Sequence, residues 1–117
     1  MYVLPKGKVA YFDVDDTLLE WYDTNCPGKD VTPIPIGVFI SYKKPIKEHI
    51  DELILQAKSG TRIVVWSASG VSWAEAVVKA LKLEEYVDAV LAKPDRYYDD
   101  KDVNEWFPKR RYYKKSE

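Results

Sequence analysis

A small open α/β sheet of parallel strands, with helices on both faces and a minimal flap, is the fold that this 117-residue chain predicts. Three observations lead there. Short apolar, β-branched runs alternate with segments whose apolar residues recur at helical spacing. The links between them are short, as crossovers between neighbouring parallel strands require. The run from Thr61 to Trp66 is wholly apolar from Ile63 onward, as expected of a strand covered on both faces. A chain of this length has room for one core, so residues 1–117 are expected to form a single domain.

The elements follow in chain order. Lys8 to Asp13 reads as a buried strand. Residues 20–42 form a flap, an extended excursion or small hairpin. Cys26-Pro27-Gly28 marks a turn there, and Pro33 and Pro35 exclude a regular central strand. From Pro45 to Lys58 the residues Ile46, Ile50, Leu53, Ile54 and Ala57 mark a helix that Gly60 closes. Thr61 to Trp66 is the second strand, and Ser67-Ala68-Ser69-Gly70 a turn. A second helix runs from Ser72 to Lys82, with Ser72 and Glu75 at capping-box spacing; Trp73 or Ala74, Val77, Val78 and Leu81 form its core face. Val87 to Leu91 is a third strand and Tyr97 to Asp99 a short fourth. Ligands of such sheets sit at the carboxyl ends of the strands, where Asp13, Ser67 and Asp99 all fall.

Charge is nearly balanced overall, with 18 basic and 19 acidic residues, as in an ordinary soluble globular protein. The tail, residues 108–117, concentrates Lys109, Arg110, Arg111, Lys114 and Lys115; it reads as a solvated terminus, with reach toward phosphate-bearing partners as the alternative. Cys26 is alone and can form no intramolecular disulfide, and no run approaches a membrane span. A cytoplasmic protein without a membrane partner is expected. His49, the sole histidine, is expected at a surface or half-buried helix position.

The chemistry lies in Val9-Ala10-Tyr11-Phe12-Asp13-Val14-Asp15-Asp16-Thr17-Leu18-Leu19. Three carboxylates within four residues repel one another, and a divalent cation is the simplest relief. In extended backbone, Asp13 and Asp15 aim the same way. Hard oxygen donors without a His or Cys cluster favour Mg²⁺ over Zn²⁺.

The segments DVDDTL, VVWSASG and KPDRYYDDK, in that order over residues 8 to 103, resemble those of the haloacid dehalogenase (HAD) superfamily of aspartate-nucleophile phosphatases. The likeness is to its short, nearly capless bacterial and phage members. That resemblance implies Asp13 as nucleophile, and Asp15 as the acid and later the base, its main-chain carbonyl also on the metal. Thr17 would bond backbone or carboxylate in the turn. Ser67 would bond a phosphoryl oxygen, aided by the turn amides of Ala68, Ser69 and Gly70. Asp99 would be a direct Mg²⁺ ligand, and Asp100 a ligand directly or through water. Lys93 would neutralise nucleophile and phosphate together, with Lys101 as competitor, because five residues between Lys93 and Asp99 cannot hold a crossover helix. Asp16 stands where many relatives carry glycine.

The flap is too small a cap to enclose a metabolite. Either the substrate is large, a nucleic-acid end or a phosphoprotein, or a second subunit closes the site. Trp21, Tyr22 and Lys29 are candidates for leaving-group contact. Two rival functions are a receiver-like phospho-acceptor domain and a catalytically idle module binding nucleic acid through its tail.

Overall fold

The computed structural model describes residues 8–21, 30–107, 110 and 111. Strand β1 (Val9–Asp13) pairs in parallel with β4 (Arg62–Ser67), and β4 with β5 (Ala89–Ala92), so β4 is central in the order β1-β4-β5. Helix α1 (Lys47–Lys58) links β1 to β4, and α2 (Val71–Ala80) links β4 to β5. Ile63, Val64, Val65 and Ser67 of the central strand are buried, which explains its unbroken apolar run.

Both crossovers step in the same direction across the sheet. Right-handed connections then place both helices on one face. Leu53 of α1 and Ala74, Val77 and Val78 of α2 accordingly share one core with Ile63 and Val65. The opposite face is covered thinly, by Phe107, which follows the one-turn α3 (Val103–Trp106) and whose ring lies 5.8 Å from Tyr11 and 6.2 Å from Trp66. Helices thus flank the sheet unequally.

The flap contains a hairpin, β2 (Thr32–Ile36) with β3 (Phe39–Lys43). Gly37 at φ +60° turns the corner, where a side-chain-bearing residue would be strained. Pro33 and Pro35 share one parity along the ladder, opposite Tyr42 and Ile40, so both can face their missing N–H away from the partner strand. Fully buried Ile34 anchors the hairpin in the core beside α2. The expected Cys26-Pro27-Gly28 turn, Tyr22, Lys29, and all of the tail but Arg110 and Arg111 lie outside the described residues.

Three local expectations are corrected. Helix α2 starts at Val71 with Gly70 (φ +105°) as its N-cap and no side-chain cap bond, so Ser72 is already helical and forms no capping box with Glu75. His49 is buried, only 4 % exposed, because it faces the turn after β1. Tyr97 to Asp99 form no strand. Local bonds hold that segment instead: the Tyr97 hydroxyl accepts from Val103 N (3.0 Å), Asp99 Oδ1 accepts from Lys101 N (3.0 Å), and Glu105 caps α3 by accepting from Asp102 N (2.9 Å). No helix among the described residues is long and apolar enough to cross a membrane.

Candidate active site

Asp13 closes β1 beside Trp66 of β4, and the chain then folds back on itself. Val14 O accepts from the amides of Thr17, Leu18 and Leu19. Asp16 occupies the left-handed region at φ +62°, which explains why a glycine suits this position and why Asp, tolerant of that region, also serves. Its Oδ1 accepts from Trp21 N at 3.0 Å, closing a second turn. Buried Leu18 and Leu19 pin the loop to the core. His49 braces it from α1: Nδ1 lies 2.6 Å from Thr17 O, and a carbonyl only accepts, so Nδ1 carries the proton.

Around this loop five predicted residues come together: Asp13, Asp15, Thr17, Ser69 and Lys93. Lys93 leaves β5 with its amide on Ser67 O (2.9 Å), crosses the face of Trp66 at 5.8 Å, and brings Nζ to 3.8 Å from Asp13 Oδ1. The other Asp13 oxygen is 3.5 Å from the Thr17 hydroxyl, a weak contact. Asp15 is gripped at both oxygens: Trp73 Nε1 donates to Oδ1 at 3.0 Å and Ser69 Oγ to Oδ2 at 3.1 Å. The Asp13 and Lys93 side chains stay 33 % and 41 % exposed, open to a ligand. Lys101, the competitor, is exposed, and its main-chain amide serves the Asp99 turn.

Ser67 takes a different place from the one expected. It alternates with Val65 and Ile63 on the helix-covered face and is fully buried, and its Oγ accepts from Ser69 N at 2.9 Å. The exposed members of that turn are Ala68 and Ser69.

Nor do Asp99 and Asp100 join Asp13 and Asp15. Among the described residues no three acids, histidines or cysteines gather closely enough to hold a metal. Without a fourth strand, local bonds hold this segment, and its acids are not brought beside Asp13 and Asp15. A surface depression bordered by Thr61, Arg62 and Asp88 lies at the opposite, amino end of the strands, away from these groups.

Two contributors escaped sequence reading. Trp73 is expected on the core face of its helix, and Lys43 is not singled out at all. Lys43 is 7 % exposed, donates to Trp21 O, and sits 5.1 Å from the Trp21 ring centroid and 5.8 Å from that of Trp73. Nothing in their sequence neighbourhood marks them, because the partners are far apart along the chain. No protein-family model matches this chain, and no curated protein matches it either.

Proposed function

We propose that this chain is a Mg²⁺-dependent phosphomonoester hydrolase of the HAD type, acting through an aspartyl-phosphate on Asp13. The observation that supports it most is the pairing, at the carboxyl ends of a parallel sheet, of an accessible carboxylate with Lys93 at 3.8 Å and a second, firmly held carboxylate two residues on. An anionic nucleophile must approach a phosphate dianion, and each unit-charge pair near 4 Å costs about 4 kcal/mol at an effective dielectric of about 20. Lys93 offsets part of that cost at the nucleophile itself.

The donor set suits Mg²⁺ in its minimal form. That ion keeps most of its water and takes one or two carboxylates plus substrate oxygens. Asp13 and the main-chain carbonyl of Asp15 are the proposed holders. Asp99 and Asp100, expected as further ligands, stand apart from this pair. Bound by the pair, the cation supplies charge neutralisation at the phosphoryl oxygens.

The chain's own groups do the rest. As an Asp13 oxygen bonds to phosphorus, the bond to the leaving oxygen breaks and Asp15 gives that oxygen its proton. Asp15 then takes a proton from the water that attacks the phosphoenzyme, releasing phosphate and restoring Asp13. Thr17 and Ala68 are proposed to contact the phosphoryl group, whereas Ser69 has its amide on Ser67 Oγ and its hydroxyl on Asp15. The exposed rim, with Trp21 57 % exposed, suits a substrate bringing its own cover, a nucleic-acid end or phosphoprotein, or closure by a second subunit.

Asp13→Asn is expected to abolish phosphate release from p-nitrophenyl phosphate while leaving the circular-dichroism spectrum and unfolding midpoint near wild type. EDTA is expected to silence the wild-type protein, with Mg²⁺ restoring it. Full activity in Asp13→Asn would remove the proposed nucleophile.

A further inference from the structure

We propose that Trp73, on the first turn of α2, is a positioning residue that aims the Asp15 carboxylate at the leaving-group oxygen, with Ser69 as its partner. This rests on the phosphatase reading above. Asp15 belongs to a tight turn beside left-handed Asp16, and a free aspartate there has two torsions to explore. Both of its oxygens are nevertheless occupied, by donors 54 and 58 residues away along the chain. One donor on each oxygen sets the carboxylate's plane as well as its place.

The indole makes a rigid holder. Trp73 packs against the core cluster, and the ammonium of buried Lys43 lies 5.8 Å from its ring centroid. Its N–H only donates, so the oxygen facing it must accept, and the proton that Asp15 gives up is left to the other oxygen, beside the Ser69 hydroxyl, which can donate or accept. Ser69, on an exposed turn, completes the grip from the strand-β4 side. A carboxylate that merely needed solvation would be served by water. Two converging side chains from another crossover fix a direction, the property a proton donor needs.

A misaimed acid penalises an ester according to how much its leaving group depends on protonation. The test compares kcat/KM for p-nitrophenyl phosphate, whose leaving group departs readily as an anion, with that for phenyl phosphate, whose leaving group needs the proton more. General acid catalysis is worth roughly 10²–10⁴-fold, so partial loss in Trp73→Phe is expected to raise the ratio of the two constants about tenfold. Ser69→Ala, at an exposed position that does not endanger folding, is expected to raise it about threefold on the same grounds. Asp15→Asn sets the upper limit. A uniform fall on both esters in Trp73→Phe and Ser69→Ala, or no change in either, overturns the positioning role while leaving the phosphatase intact. Absence of turnover of both esters by the wild-type protein with Mg²⁺ overturns the phosphatase reading itself, and this inference with it.

Discussion

Asp13, Asp15, Asp16 and Thr17 form a loop in which each residue has a distinct task set by its surroundings. Asp13 is left open toward Lys93, Asp15 is tied at both oxygens, and Asp16 bends the chain. The brace beneath them is His49. The expectation of a surface or half-buried histidine is overturned by its burial, because helical spacing locates a face and not what covers it. His49→Ala would leave Thr17 O without its buried donor. A loss of about 1–3 kcal/mol in unfolding free energy is expected, measurable as a lower urea midpoint, together with a fall in kcat as the loop loosens. An unchanged midpoint would show that the hydrogen bond at 2.6 Å is not supporting the turn.

Among the elements, the β2–β3 hairpin illustrates how two prolines and a glycine can specify a strand pair. Pro33 and Pro35 are excluded from a central strand but fit this two-stranded edge, and Gly37 meets the φ +60° that the corner requires. Gly37→Val would place a β-branched residue at φ +60°, and a loss of at least about 1 kcal/mol is expected from the left-handed conformation alone. Ile34→Ala is expected to cost about 2–5 kcal/mol, since it empties a fully buried site. Chemical denaturation of each variant checks both figures. Strands β1, β4 and β5 and helices α1 and α2 were legible to within a residue or two, each carrying its own period. The fourth strand was not. Its residues have strand propensity, but Pro94, the short link and the Asp102–Glu105 cap favour local bonds over sheet addition.

Across the whole molecule, the sheet is covered unequally. One face bears two helices and the main core; the other bears Tyr11, Trp66, Phe107 and the exposed Trp106, stacked 5.5 Å from Phe107. Leu53→Ala in the first layer is expected to cost about 2–5 kcal/mol. Phe107→Ala in the second, where the ring stays 37 % exposed, is expected to cost only about 1–2 kcal/mol. Equal losses in a paired denaturation experiment would show that both faces carry comparable stability. The same asymmetry explains how Lys93 reaches Asp13, since the open face lets its side chain pass over Trp66.

By itself, the chain's alternation of apolar periods determined a parallel α/β sheet, and its acids marked the carboxyl end of β1 as the candidate site. Both are local properties, written in spacings of two to four residues. The tertiary structure decided which groups meet: Lys93 with Asp13, Trp73 and Ser69 with Asp15, His49 with Thr17, and Asp99 and Asp100 with none of these. Such meetings depend on which strands pair and on which face each crossover lies, and these are settled by burial and hydrogen bonding summed over the whole sheet.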